Sequence, residues 1–194
     1  MKEKVFSAKN YIDEHNKVFK KINFDSYNAA SELVVNKIKQ NKKIITCGNG
    51  GSAYTASHFI TDWNKMYFIA TGNKLRGISL VDNVGLVTAF GNDIDYDSIF
   101  SGQLDSLMDK DDLLIVVSGS GNSRNIISAI NKAHQMGAQV LGVLGYDGGK
   151  AMPLCDEVFH VPSWDMQICE DIHLSFGHLV MKLICNESIK PSIE

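Results

Sequence analysis

The stretch Ile115-Val116-Val117-Ser118-Gly119-Ser120-Gly121-Asn122-Ser123-Arg124-Asn125 changes character twice. Its first three residues are β-branched and apolar, as in a buried strand. A loop with three hydroxyls and two glycines follows, and an apolar pattern with helical spacing (Ile126, Ile127, Ala129, Ile130, Ala133) begins directly after it. The segment therefore reads as strand, polar turn and helix N-terminus. The first turn of a helix carries N–H groups without intrahelical partners and the positive end of the helix dipole, so such a junction holds anions. Hydroxyls add donors, and glycine lets the backbone approach an oxygen closely. Ser and Asn are also the preferred helix caps, so the loop taken alone is equally an ordinary capped turn. It is neither a Walker A loop nor GxGxxG.

A second junction of the same kind lies upstream. Lys43 to Cys47 is a short buried strand, Gly48-Asn49-Gly50-Gly51-Ser52 is its turn, and Ala53 to Lys65 is helical. Further strands are read at Ile78–Val81, with the apolar run continuing over Val84–Phe90, and at Leu113–Val117, Val140–Leu144 and Val158–Val161. Helices are read at Tyr96–Met108, over 126–133 with Gly137 as the C-cap, and at Met166–Ile184 after Pro162. Two amphipathic helices precede all of these. One runs from Lys4 to Ile22; the other is capped at Asp25 or Ser26 and ends at Asn41. Such a leading pair packs against another subunit or covers one face of its own sheet. Strand and helix alternating at this spacing give an α/β fold, a parallel sheet with helices on both faces. Ligands of such sheets sit at the carboxyl ends of the strands, where both serine-glycine turns emerge.

The 194 residues fit one domain, and 44% hydrophobic with 21% charged residues is the composition of a soluble protein. A net charge of −3 gives no basic face for nucleic acid. Neither a membrane-spanning run nor a signal-peptide core is visible, so a cytoplasmic location is expected. Cys47, Cys155, Cys169 and Cys185 are scattered and read as reduced thiols.

Two pairs of residues carry acid, base and ligand chemistry. His58 and Asp62 are four apart on one helix and share a face; so do Glu170 and His178 on the last, eight apart, whereas His173 points elsewhere. Two histidines and two carboxylates are the composition of a zinc-type site if the helices meet. If they do not, each pair is a helix-surface contact.

Taken together, Cys47–Ser52 with His58-Phe59, Gly91-Asn92-Asp93, Ser118–Ser123, Asp147–Lys150, and His173 with His178 resemble the sugar isomerase (SIS) domain family. Within it they are most similar to the phosphoheptose isomerases, which convert sedoheptulose 7-phosphate to D-glycero-D-manno-heptose 7-phosphate. The resemblance implies one three-layer SIS domain over residues 1–194 with a parallel five-stranded sheet. Residues 1–40 are then an N-terminal helical pair at an oligomer interface, and 186–194 a frayed tail. It further implies that Asn49, Gly50, Ser52, Ser118, Gly119, Ser120 and Ser123 hold the sugar phosphate, with Asn92, Asp93 and Glu170 lining the sugar site. His58, Asp62, Glu170 and His178 fall at the positions of the metal ligands, for Zn²⁺ or another divalent ion, and His178 and Asp62 at those of the acid–base pair. The implied assembly is a homotetramer with sites between subunits.

This chain departs from the family pattern at several positions. Asp62 stands where Glu is usual, Glu170 where Gln is usual, and Gly119 where the serine loop normally has Thr. Lys65-Met66 replaces a Gly-Arg. The leading expectation is a heptose phosphate isomerase feeding surface polysaccharide synthesis. The alternatives are an isomerase of another sugar phosphate, or a non-catalytic SIS protein that binds a partner such as a replication initiator. Retention of His58 and His178 favours catalysis.

Overall fold

Successive residues of the central strands enter opposite cores. Ile44, Leu113, Ile115, Val117, Leu141 and Val143 belong to one apolar cluster. Their chain neighbours Ile45, Leu114, Val116 and Val140 belong to another. A strand's side chains alternate between faces, so apolar residues at consecutive positions require cover on both sides. The computed structural model, which describes residues 6–186, supplies that cover. Its strands are β1 (Lys43–Gly48), β2 (Arg76–Ser79), β3 (Leu113–Ser118), β4 (Gln139–Leu144) and β5 (Glu157–His160). They form one parallel sheet in the order β2-β1-β3-β4-β5.

On one face lie α1 (Ala8–Phe19), α2 (Phe24–Lys39), α3 (Gly51–Thr71) and α7 (Met166–Ile184). On the other lie α4 (Val84–Asp93), α5 (Ser101–Leu107) and α6 (Arg124–Gln135). Local chemistry sets the ends of these elements. Asp165 caps α7 by accepting from the N–H groups of Gln167 and Ile168, and α6 gives way to Gly137 at φ 74°. The outer edge of β2 is closed by a side chain. Asn64 Nδ2 donates to the Gly77 carbonyl and its Oδ1 accepts from Gly77 N–H, at 3.1 and 3.2 Å.

The parallel sheet and the two helical layers match the expected architecture, while several boundaries differ. Residues 84–93, read as an apolar continuation after the second strand, form α4 instead, because Asn83 accepts from Leu86 N–H and starts a helix. The helix expected over 96–108 is a 3₁₀ turn at Tyr96–Ser98 followed by α5. α3 continues past Lys65 to Thr71 and stops at Gly72, φ 71°. Lys4 and Val5 of the first helix, and residues 187–194 of the expected tail, lie outside the described residues.

The leading helices also divide their roles. The apolar stripe of α2 is buried in its own chain, where Tyr27 stacks on Phe159 with ring centroids 4.3 Å apart. α1 buries only Val18 and leaves Ile12 exposed.

α3 and α7 run parallel and meet at Gly177. The Phe59 ring fills the space a side chain at 177 would need, and Trp63 Nε1 donates to the Gly177 carbonyl at 2.8 Å. Even a methyl group would have to push the helices apart. Gly177→Ala should therefore lower the unfolding free energy by about 1–3 kcal/mol, the usual cost of overpacking a filled core. Urea unfolding of the variant and the parent protein measures it.

Candidate active site

β1 and β3 are neighbours, with Gly48 opposite Val117, and the strand order reverses between them because β2 lies on the far side of β1. This is the switch point at which ligands of open parallel sheets bind. The loops leaving these two strands enclose a cavity of about 250 Å³. Asn49, Gly50, Gly51 and Ser52 line it from the first loop, and Ser118, Gly119, Ser120 and Ser123 from the second. Tyr146, Met166 and Glu170 complete the wall.

The N-termini of α3 and α6 both open into this space. Gly50 caps α3 and Ser123 caps α6, and neither start has a side-chain capping bond, so the first-turn N–H groups are available to an anion. Ser118 Oγ accepts from Gly121 N–H at 3.0 Å and Ser120 Oγ from Asn122 N–H at 3.3 Å, so these hydroxyls also hold the loop in shape. Glycine is required at one tight point in each loop. A Cβ on Gly48 would lie 2.5 Å from the Ser52 carbonyl oxygen, and one on Gly121, at φ 62°, would strike the Gly148 carbonyl. At Gly119 nothing lies within 4 Å, so the Thr of the family pattern would fit here.

A half-buried amide pair, of which the sequence reading singled out Asn49 but not Asn125, joins the loops. Asn49 and Asn125 exchange two side-chain hydrogen bonds of 2.9 Å, and the Tyr96 hydroxyl donates to Asn49 Oδ1 at 3.2 Å. Asn125 is 1% exposed. Its signal was a polar residue placed directly before the apolar face of α6. Asn92 and Asp93 are not brought in. They sit exposed at the end of α4, hydrogen-bonded to each other, and line neither this cavity nor the adjacent one at Val81, Val84, Tyr96 and Phe100.

Two turns along α3 lies the reactive cluster. His58 Nε2 and His178 Nε2 are 3.3 Å apart, and Asp62 Oδ2 lies 3.2 Å from the first and 3.9 Å from the second. The helices do meet, and these three residues form a set whose donor atoms all lie within 4.8 Å of one another. Donor atoms around a tetrahedral Zn²⁺, each about 2.1 Å from the ion, are separated by about 3.4 Å, so the set fits a divalent ion. Glu170 does not join it. Eight residues of helix separate it from His178, about 12 Å of rise, and its carboxylate lies against Gly51 at the α3 N-terminus instead.

His173 is fully buried, and neither ring nitrogen has a partner at hydrogen-bonding geometry. Burial pushes its pKa down to about 4; the Leu144 backbone acts in the opposite sense and His160 adds to the depression.

A sequence model of the SIS domain matches residues 10–145. The chain belongs to the SIS domain family. It is 41% identical over 158 residues to the phosphoheptose isomerase of Aliarcobacter butzleri, covering 81% of this chain and 83% of that one. It is 36% identical to that of Campylobacter concisus, covering 91% and 94%. The solved phosphoheptose isomerase of Neisseria gonorrhoeae superposes with a TM-score of 0.83 at 30% identity, over 91% of this chain and 96% of that one. That of Francisella tularensis gives 0.84 at 25% identity, over 94% and 100%. In this chain the two serine-glycine loops leave the carboxyl edge of the sheet and the histidine pair lies between α3 and α7.

His173 makes stability depend on pH. Its folded pKa lies below the unfolded value near 6.5, so the unfolded chain takes up a proton first as pH falls. The full contribution is present above pH 6.5 and is lost progressively toward pH 4, by about 3 kcal/mol in all. Denaturant midpoints at pH 7 and pH 4.5 should therefore converge in His173→Phe compared with the parent protein.

Proposed function

We propose that this protein is an aldose–ketose isomerase that converts sedoheptulose 7-phosphate to D-glycero-D-manno-heptose 7-phosphate. The observation that carries the reading is the spacing between the two parts of the site. Gly51, at the anion cavity, and His58, in the reactive cluster, are seven residues apart on α3, close to two full turns and about 10 Å of rise. An extended carbon chain advances roughly 1.25 Å per C–C bond, so the first two carbons of a heptose lie roughly 9–10 Å from a phosphate on its seventh. With the phosphate on the serine loop and the α6 N-terminus, C1 and C2 reach His58, Asp62 and His178. The names of the relatives at 36–41% identity support the same substrate.

In this reading His178 Nε2 takes the proton from C1 of the ketose and a proton is returned at C2 of the aldose. Asp62 Oδ2 moves the proton between the two oxygens. Asn49, Ser52 and Glu170 face the hydroxyls between the two ends, so Glu170 is assigned to substrate. His178 Nε2 cannot hold an ion while it accepts the C1 proton, so a divalent cation, Zn²⁺ by the donor set, would be held by His58 and Asp62 with His178 as a ligand only until it acts as the base, and would supply positive charge against the carbonyl and the developing enediolate oxygens. Convergence of these three groups beside an anion cavity favours catalysis over a partner-binding role, which needs no such cluster.

We place the reaction in the cytoplasm, consistent with the absence, among the described residues, of any helix long and apolar enough to cross a membrane. The product would feed heptose-containing surface polysaccharide. A homotetramer is supported by apolar side chains left exposed on α3 (Tyr54, Phe68, Ile69) and by α4, which buries no residue although it carries Val84, Leu86, Val87 and Phe90. Asn92 and Asp93, at the end of α4, would then face a neighbour's site.

Incubation with sedoheptulose 7-phosphate should yield the aldose phosphate, and Asp62→Asn or His178→Ala should lower kcat by about 10²–10⁴. A chelator should remove activity and a divalent ion restore it, with elemental analysis finding the metal in the purified protein. Absence of product under both conditions overturns the assignment. Light scattering should give four chain masses, and Leu86→Glu should lower that number.

A further inference from the structure

Every polar atom of the Asn49–Asn125 pair can be accounted for. A carboxamide oxygen accepts two hydrogen bonds and its nitrogen donates two. Asn49 Oδ1 has both of its bonds within the protein, from Asn125 Nδ2 at 2.9 Å and from the Tyr96 hydroxyl at 3.2 Å. Asn49 Nδ2 gives one hydrogen to Asn125 Oδ1, also at 2.9 Å. Its second hydrogen has no acceptor among the described residues, and Asn49 lines the anion cavity. Turning the Asn49 amide over by itself would set oxygen against oxygen and nitrogen against nitrogen across the pair. The side chain is therefore held as a donor.

The residues that hold it come from two other elements. Asn125 is the second residue of α6 and is 1% exposed, so its amide has no water to turn to and depends on Asn49 for its bonds. Asn49 directly precedes the Gly50 cap of α3. The pair therefore joins the starts of the two helices that open into the cavity. Tyr96 belongs to the 3₁₀ turn at Tyr96–Ser98, and the next residue ties that turn to α6 a second time, with Arg124 Nε 3.1 Å from Asp97 Oδ2. Neither Asn125 nor Tyr96 lines the anion cavity itself. A polar network is rigid when its members are satisfied, and here one donor is left over, at the cavity wall. Phosphate and sugar oxygens are acceptors of the kind that would satisfy it.

We propose that Asn125, aided by Tyr96, is a positioning residue that fixes Asn49 as a hydrogen-bond donor to an oxygen of the bound sugar phosphate. Both residues act through the Asn49 amide and not on the ligand directly. The inference rests on the sugar-phosphate reading above. It makes the orientation of one ligand-facing amide a property of α6 and of the 3₁₀ turn, set before the ligand arrives, so that no ordering of that side chain is left for binding to supply.

A double-mutant cycle read from steady-state kinetics with sedoheptulose 7-phosphate tests it. Asn125→Ala should raise KM about tenfold, the scale of one lost hydrogen bond to a charged or strongly polar acceptor, while kcat stays within about twofold. In an Asn49→Ala background the same substitution should move KM by less than about twofold, because no amide is left to orient. Tyr96→Phe removes a single hydroxyl at a residue that is 60% exposed, so it leaves the fold intact and decides the question should Asn125→Ala fail to fold. It should raise KM about threefold in the parent protein and leave it unchanged in the Asn49→Ala background. An unchanged KM in the parent background, or an equal rise in both backgrounds, overturns the proposal and leaves the isomerase assignment standing. If sedoheptulose 7-phosphate gives no thermal shift and no turnover in the parent protein, the substrate assignment itself fails and the proposal falls with it.

Discussion

The Phe59 ring lies where a side chain at residue 177 would be, and this close approach sets the distance between α3 and α7. The reactive cluster depends on it. His58 and His178 flank the crossing, one residue from Phe59 and one from Gly177, and their ring nitrogens come within 3.3 Å because the backbones have nothing between them but that ring. Trp63, bonded to the Gly177 carbonyl one turn further on, fixes the axial register of the two helices. Sliding them by a single residue would separate the imidazoles by about 1.5 Å along the axis and rotate them off a common face.

The same parallel packing orders the whole site along one line. At the upper end the α3 N-terminus meets the serine loop at the switch point of the sheet, where two first turns without side-chain caps create a field for an anion. At the lower end the histidine pair and Asp62 bring three groups of the acid–base and metal-ligand types together. A helix is rigid, so the separation of these ends is fixed by residue count rather than by loop flexibility. Glu170 belongs to the upper end, where the positive end of the α3 dipole accommodates its carboxylate. That placement explains how the chain tolerates a second acid close to an anion site.

Much of this was legible in the sequence. Consecutive apolar residues in Lys43–Cys47 and Leu113–Val117 called for helices on both faces, and the two glycine-serine turns marked the ligand edge. The misreadings have local causes. Val84–Phe90 is apolar without a clear period, and only the Asn83 cap separates a helix from a continued strand. The sequence leaves the α2 stripe open between its own sheet and another subunit, because the stack of Tyr27 on Phe159 is a contact between residues 132 positions apart.

By itself the sequence determined the alternation of elements, the strand, polar turn and helix start at Gly48–Ser52 and Ser118–Ser123, and the pairing of His58 with Asp62. These are local properties, governed by side-chain period, caps and residues at neighbouring positions. Only the tertiary structure decided that His178 joins His58 and Asp62 while Glu170 does not, that Asn125 locks Asn49, and that Trp164 leans on Tyr146. Each of these depends on the register between elements distant in the chain. That register is set by packing, by the room left at Gly177 and by the order of strands in the sheet, none of which a one-dimensional pattern records.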